Sequence, residues 1–165
     1  MELKKEKKVK KLKFEKVYTD GACEPNPGNG GWGFVIIGSP DIESYGGELD
    51  TTSNRMELLA IIKALEYFNS PEYIKVFSDS RYAVNGFNDW MHTWRAKGRQ
   101  KKNMDLWDRL FDLKEFHKRV EAIWVKGHND DKYNDLADEL SIIGMEETIS
   151  GDMDAEFEKR LILDE

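Results

Sequence analysis

The sequence contains a single cysteine, Cys23, and no long apolar run. One cysteine cannot form an internal disulfide, which is typical of proteins in reducing compartments. A membrane-spanning helix needs about 20 predominantly apolar residues, and the charged first residues lack the apolar stretch of a secretory signal. Because 165 residues is close to the length of one typical domain, we expect a single soluble, cytoplasmic domain without membrane association.

Charge is distributed unevenly along the chain. Acidic side chains outnumber basic ones by 32 to 25, yet residues 1–16 carry eight lysines against three glutamates. Residues 94–102 carry five bases and no acid, whereas residues 146–165 carry eight acids against two bases. Basic segments of this kind are compatible with a nucleic-acid partner. We predict a basic extension over residues 1–13, a folded domain over 14–145 and an acidic tail over 146–165.

Hydrophobic periodicity predicts a mixed α/β sheet. Alternation and turn signals predict five strands, near residues 14–20, 33–38, 43–49, 73–79 and 122–125. Helical periodicity appears near residues 54–68, 82–94, 104–118 and 132–144. Short links join the first three strands, and a helix precedes each of the last two strands. This gives the order βββαβαβα, with helices flanking a five-stranded mixed sheet.

Local patterns also assign several individual residues. The glycine-rich residues 21–31 are predicted to form a loop, and the apolar spacing near residues 157 and 161 predicts a weak helix in the tail. Trp107 and Trp124 are assigned to the core, and His92 and His117 to helix surfaces.

Four acidic residues lie where carboxylates would converge. Asp20 and Asp79 each end an apolar strand, and parallel neighbours would bring both to one sheet edge. Glu57 lies one turn before a buried stripe, in the first turn of its helix, and Asp138 lies near the start of the last helix. Crowded carboxylates repel one another unless cations neutralise them, and oxygen ligands suit Mg²⁺ or Mn²⁺. A pair of such ions is a known arrangement for the hydrolysis of phosphodiester bonds.

Each acid also has an ordinary explanation when it is taken alone. Asp20 is followed by glycine as in a turn, and Glu57 suits a helix N-terminus. Asp79 suits a helix cap, and Asp138 resembles a solvated helix charge. Only their joint placement favours a catalytic site.

Five segments resemble type 1 ribonuclease H. They occur in order between about residues 14 and 144: YTDGACEPNPGNGGWG, TTSNRMELLAIIKAL, VFSDSRYAVNG, NMDLW and WVKGHNDDKYNDLADEL. The resemblance implies the βββαβαβα fold and a monomeric endonuclease that hydrolyses the RNA strand of RNA–DNA hybrids. It also implies two Mg²⁺ ions, which Mn²⁺ can replace, and products with 5′-phosphate and 3′-hydroxyl ends.

The resemblance also implies roles for individual residues. Asp138 is favoured over Asp135 because the family acid follows the Gly-His histidine by ten positions. That histidine, here His128, is the mobile residue that assists proton transfer or product release. The implied catalytic residues are Asp20, Glu57, Asp79, His128 and Asp138, of which the four acids bind metal.

Substrate contacts follow from the same resemblance. Selecting RNA requires contact with its 2′-hydroxyl groups, and the implied RNA-side residues are Cys23, Asn26, Ser53 and Asn54, with Glu57 also near a 2′-hydroxyl. The implied DNA side comprises a phosphate pocket of Thr52, Asn26 and Asn103 and the aromatic residues Tyr82 and Trp90. Where the family often has an arginine two positions before the pocket threonine, this chain has Asp50.

The basic segment after Trp94 resembles a shortened form of the family's substrate-binding protrusion. Its bases can neutralise phosphates and give salt-dependent affinity. They are Arg95, Lys97, Arg99, Lys101 and Lys102.

Two other functions remain open at this point. One is a non-catalytic module that binds RNA–DNA hybrids, although crowded carboxylates are not needed for binding alone. The other is a structure-selective DNA nuclease of the same fold. The residues that resemble the family's 2′-hydroxyl contacts argue against it.

Overall fold

A computed structural model describes residues 12–98, 101–150 and 156–162, with the backbone alone for 149–150 and 156–162. The strands are β1 (Glu15–Cys23), β2 (Gly28–Ile36), β3 (Ile42–Thr51), β4 (Tyr73–Ser78), β5 (Arg119–Trp124) and β6 (Glu156–Ile162). The helices are α1 (Ser53–Tyr67), α2 (Arg81–Asn85), α3 (Met91–Lys97), α4 (Met104–Phe116) and α5 (Lys132–Ser150). A π-helical turn, Gly86–Trp90, joins α2 to α3.

The predicted mixed sheet and the order βββαβαβα are confirmed. The strands lie in the order β5-β4-β1-β2-β3-β6. β1, β2 and β3 form an antiparallel meander, whereas β4 is parallel to both β1 and β5. Short links permit the antiparallel pairs, and the helical crossovers permit the parallel ones. The parallel pairs place the carboxyl ends of β1, β4 and β5 at one edge.

The sixth strand corrects the prediction for the tail. The predicted weak helix is wrong over residues 156–162, which form β6 and pair antiparallel with Ile42–Glu48 of β3. An open strand edge supplies unpaired backbone groups, and these stabilise an extended segment more than local helical spacing does. The boundary predicted after residue 145 falls inside α5, which continues to Ser150.

The glycine-rich segment is mostly strand rather than loop. β1 continues to Cys23 and β2 begins at Gly28, so only residues 24–27 connect them. A Cβ at Gly30 would lie 2.7 Å from the Met56 side chain of α1, and one at Gly31 would lie against the backbone of α5. Alternate residues of β2 therefore face helices on opposite sides of the sheet. Glycine is required here because both helices approach the strand closely.

The core lies mainly between the sheet and α1 with α4. Trp32, Phe34 and Trp107 are fully buried there, which confirms the prediction for Trp107. A smaller cluster under α5 contains Val35 and Leu140. None of the helices in the described part of the chain has the length and apolar character that crossing a bilayer requires.

Two predictions from local pattern are wrong. Trp124 is not a core residue, because 37% of its surface is exposed at the end of β5. His117 is not on a helix surface but is buried at the end of α4. Its Nδ1 accepts a hydrogen bond from the Glu72 amide, and its Nε2 lies 3.0 Å from the Leu65 carbonyl oxygen. His117 thus joins α4 to α1 and to the start of β4.

Candidate active site

Asp20 and Asp79 come from neighbouring parallel strands. β1 and β4 pair up to Tyr18 with Phe77, so Asp20 within β1 and Asp79 directly after β4 each follow two residues later. Asp20 lies within β1 rather than at its end and is 4% exposed. Its Oδ1 accepts a hydrogen bond of 2.9 Å from the Gly21 amide. The sheet register therefore places the two carboxylates side by side, as the sequence predicted.

Glu57 reaches the same place from α1. Thr52 caps this helix by accepting a hydrogen bond from the Arg55 amide, so Glu57 lies in the second turn rather than the predicted first. A Cβ at Gly21 would lie 2.5 Å from the Glu57 nitrogen, which shows how closely the helix crosses β1. The Glu57 Oε1 is buried and has no hydrogen-bond partner among the described residues.

Asp20, Glu57 and Asp79 form one carboxylate cluster. Each offers an oxygen, and these oxygens all lie within 4.8 Å of one another. Burial, followed by the charge of Asp79, raises the pKa of Asp20 to about 8. Burial and then the charge of Asp20 raise the pKa of Glu57 well above its ordinary value. Burial also raises the pKa of Asp79. The cluster therefore holds negative charge at a free-energy cost that a cation would remove.

The helix α5 brings Asp138 beside this cluster. Its charge contributes to the raised pKa values of Asp20, Glu57 and Asp79, although it lies outside the group of three. Asp135, the other candidate, is exposed on the same helix, whereas Asp138 is half-buried. This placement favours Asp138 as the fourth acid.

Asn134 is a site residue that sequence reasoning missed. It is 2% exposed, and its side chain hydrogen-bonds Asp79, which opposes the rise in the Asp79 pKa. The sequence spacing could have identified Asn134, because it precedes Asp138 by four positions and residues at this spacing share a helix face.

His128 lies in the loop that passes Asp79. It is exposed and has a φ of 53°, and its electrostatic interaction with Asp79 lowers the pKa of that carboxyl. A Cβ at the preceding residue, Gly127, would lie 2.8 Å from the Asp79 Oδ2. Gly127 therefore lets the loop approach the carboxylate cluster, and His128 lies on the solvent side of that cluster.

The cluster suits a hard divalent cation. Its donors are carboxylate oxygens with no cysteine or histidine among them, the set that Mg²⁺ or Mn²⁺ favours over Zn²⁺. The unpartnered Glu57 Oε1 and the raised pKa values show that the protein alone does not neutralise these groups. The residues present therefore fit a metal site.

Comparison with known proteins decides the family. A family model described as RNase H matches residues 13–146 of this chain. Ribonuclease H of Caulobacter sp. (strain K31) is 46% identical over 140 residues, which cover 81% of this chain and 90% of that protein. The chain belongs to the RNase H family. The resemblance predicted from its five segments is confirmed, as is its assignment to a family of nucleases.

Other members agree in sequence and in fold. Ribonuclease H of Acetivibrio thermocellus is 45% identical over 138 residues, covering 79% of this chain and 93% of that protein. LC9-RNase H1, a type 1 RNase H with the type 2 active-site motif, superposes with a TM-score of 0.73 at 25% identity, covering 84% of this chain and 74% of that one. LC11-RNase H1 in complex with RNA/DNA hybrid shares the fold, with a TM-score of 0.64 at 22% identity over 82% of this chain and 99% of that one.

The residues expected on the RNA side lie where the connection between β1 and β2 contacts the start of α1. Asn26 Nδ2 donates a 2.8 Å hydrogen bond to Ser53 Oγ, and the Ser53 amide donates to Asn26 Oδ1. Asn54 is exposed in the first turn of α1. Cys23 is buried, its thiol lies 3.3 Å from the Pro25 carbonyl oxygen, and burial raises its pKa. The cysteine therefore offers its backbone rather than a reactive thiol to this surface.

Arg55, which sequence reasoning missed, connects three residues expected on the DNA side. They are Thr52, Asn103 and Tyr82. Asn103 Oδ1 accepts from the Arg55 guanidinium, and Asn103 Nδ2 donates to the Tyr82 hydroxyl. The Arg55 amide donates to Thr52. Arg55 also forms a two-bond ion pair with Asp105. A guanidinium thus lies in the expected phosphate pocket although Asp50 occupies the position where the family often has arginine.

The remaining substrate candidates are more scattered. Trp90 is 42% exposed and packs against Trp94 rather than against the Arg55 group. Arg95 is tied to the carboxylates of α4, pairing with Asp108 and Asp112. Within the described residues of the segment, Lys97, Lys101 and Lys102 are exposed as well as Arg95. Arg99 lies outside the described residues.

Proposed function

We propose that this protein is an endoribonuclease that hydrolyses the RNA strand of RNA–DNA hybrids by a two-metal-ion mechanism. The observation that carries the proposal is the cluster of Asp20, Glu57 and Asp79 with Asp138 beside it. Like charges converging from two strands and two helices are costly unless they serve a cation. Membership of the RNase H family supplies the reaction, and a neighbour of the same fold is a complex with RNA/DNA hybrid.

The four acids would hold the metal, which we propose to be Mg²⁺ with Mn²⁺ as a substitute. When bound, such ions lower the pKa of water and stabilise charge on the departing oxygen. Glu57 and Asp20 are buried and carry raised pKa values, so they are the acids that gain most from a cation. Asn134 fixes Asp79 by hydrogen bonding.

The hydrolysis itself exchanges one phosphorus–oxygen bond for another. A water oxygen bonds to phosphorus as the water gives up one proton, the bond to the 3′ oxygen breaks, and the leaving 3′ oxygen takes up a proton. The products are a 5′-phosphate and a 3′-hydroxyl. His128, exposed beside Asp79, is placed to transfer a proton or to assist product release.

Strand selection would come from the two surfaces that flank the cluster. Asn26, Ser53 and Asn54 offer short polar groups and backbone to the 2′-hydroxyls of RNA. Thr52, Asn103 and Arg55 offer donors to a phosphate of the DNA strand. Since one chain supplies all of these groups, we propose that the protein acts as a monomer, and its lone cysteine favours the cytoplasm.

The test is cleavage of an end-labelled RNA–DNA hybrid with Mg²⁺, with Mn²⁺ or with a chelator. We expect metal-dependent cutting of the RNA strand only, and no cutting of duplex RNA or duplex DNA. Asp79→Asn and Asp138→Asn should each lower the rate by ~100-fold or more because each removes a metal ligand. Asp135→Asn, on the same helix but exposed, is the matched control and should keep the rate.

The alternatives predict different outcomes of the same assay. A hybrid-binding module would bind the hybrid without cutting it under either metal. A structure-selective DNA nuclease would cut branched DNA and spare the hybrid. Equal loss of rate in Asp135→Asn and Asp138→Asn would remove Asp138 from the proposed metal site.

A further inference from the structure

Arg81 differs from the other arginines whose side chains the structure describes. In that part of the chain Arg81 is exposed and is the arginine that takes part in none of the ion pairs with carboxylates. The others form ion pairs: Arg55 with Asp105, Arg95 with Asp112, Arg109 with Glu66, and Arg119 with Glu121. An arginine that no internal acid neutralises keeps its full charge for an external anion.

Trp124 fixes the position of this charge. The Arg81 guanidinium carbon lies 3.9 Å from the centroid of the Trp124 ring, a cation–π stack. Stacking covers one face of the guanidinium and leaves the N–H groups in its plane free to donate. Because the side chain is already ordered, less conformational entropy is lost when those groups bind a ligand.

The stack is attached to the carboxylate cluster. β5 pairs Trp124 with Ser78, and the Val125 amide donates a 2.9 Å hydrogen bond to the Ser78 carbonyl. The Trp124 Nε1 donates a 3.1 Å hydrogen bond to the carbonyl oxygen of Asp79. The indole that holds Arg81 is therefore tied to the backbone of one of the clustered acids.

We propose that Arg81 binds a phosphate of the cleaved strand adjacent to the scissile one, and that Trp124 is the positioning residue that holds it. The proposal rests on the proposed function, since it places a nucleic-acid strand across the cluster. Guanidinium groups bind phosphate through two parallel hydrogen bonds. A fixed positive charge two residues after Asp79 also offsets part of the repulsion between the acids and a polyanion.

The test compares Arg81→Gln with Arg109→Gln, an exposed arginine whose partner Glu66 lies nine residues beyond Glu57 on α1. Arg81→Gln should raise KM for the hybrid about 5–10-fold while kcat changes less than about twofold, because a ground-state phosphate contact is lost. The slope of log affinity against log salt should fall by roughly 0.7–0.9, the amount for one phosphate contact. Arg109→Gln should change neither quantity.

Three further variants separate a phosphate contact from a structural role. Trp124→Leu should raise KM as Arg81→Gln does, and the double variant should add little to either. Trp124→Phe, which keeps an aromatic ring, should restore much of the affinity. Arg81→Lys should keep the salt slope because the charge is retained. Thermal denaturation should show that each variant is folded.

A substrate with one uncharged methylphosphonate linkage identifies the contact directly. Placed next to the cleavage position, it should weaken binding by the wild type but not by Arg81→Gln. Equal KM and salt slope in Arg81→Gln and Arg109→Gln would overturn the proposal. Binding measured in an Asp79→Asn background does not need cleavage, so a failure of the proposed hydrolysis and a failure of the Arg81 contact are distinguishable.

Discussion

At the scale of single residues, the site contains acidic side chains whose ionised forms are destabilised by burial and by neighbouring negative charge. Asp20 is almost fully buried and faces Asp79 and Asp138, and its pKa is raised to about 8. Between its unfolded pKa near 3.8 and this folded value, the native state binds the proton more tightly than the unfolded state. Stability therefore falls as pH rises through this window. The carboxylate is retained for function at a cost in stability.

Replacing Asp20 with Asn should therefore stabilise the protein while abolishing cleavage. In chelator at pH 7–8, the unfolded state is stabilised by ionisation of Asp20 while the native state keeps this carboxyl largely protonated, so asparagine should stabilise the fold by at least about 1 kcal/mol, or roughly 3–5 °C in Tm. Below about pH 4 the difference should vanish because the acid is then protonated in both states. Mg²⁺ should raise the Tm of the wild type more than that of the variant. Calorimetry from pH 4 to 8 measures this, and a variant less stable than wild type at pH 8 would contradict it.

At the scale of elements, the position of α5 depends on glycines in the sheet. A Cβ at Gly31 would lie against the backbone of Ser141 and Met145, and one at Gly33 would lie 2.6 Å from the Leu140 side chain. Backbone cannot move aside as a flexible side chain does. The same helix carries Asp138 and Asn134, so the approach that these glycines permit also sets the geometry of the site.

Gly31→Ala should accordingly weaken both folding and catalysis. Overpacking against the backbone of α5 should cost roughly 3 kcal/mol and lower Tm by about 10 °C. Cleavage measured well below the new Tm should also be slower because α5 shifts with its acids. Gly38→Ala is the matched control, since its Cβ would meet only the Pro40 carbonyl oxygen, at 3.2 Å. Equal Tm values for the two variants would refute the packing argument.

At the scale of the whole molecule, β6 changes the edge of the sheet. β3 would otherwise present its backbone groups from Ile42 to Glu48, and β6 pairs with all of this segment. Exposed strand edges promote pairing between molecules. β3 lies on the side of the sheet away from β4 and β5, so the edge and the carboxylate cluster are separate features.

Truncation after residue 155 should therefore leave hybrid cleavage nearly unchanged while promoting self-association. The uncovered β3 edge is expected to give concentration-dependent oligomers, measurable by sedimentation or light scattering. Truncation after residue 162 keeps β6 and serves as the control. If both shortened chains remain monomeric at equal concentration, β6 does not protect this edge.

Local sequence by itself predicted the strand and helix order and made the four acids candidates for one site. Periodicity and turn residues act over a few positions, so the order βββαβαβα was predictable, whereas the choice of Asp138 over Asp135 came from the resemblance to the family, whose acid follows the Gly-His histidine by ten positions. The five segments that resemble type 1 ribonuclease H likewise identified the family.

Tertiary structure alone decided the features that depend on distant segments. The glycine content of residues 28–31 predicted a loop, but they belong to β2, where α1 packs against Gly30 and α5 packs against Gly31. His117 is buried where Leu65 and Glu72 contact it, and Trp124 is partly exposed while its indole donates a hydrogen bond to the Asp79 carbonyl. The joining of Arg55 to Asn103 and the pairing of β6 with β3 have the same origin. A side chain's partners are set by which elements pack together, and no local pattern contains that information.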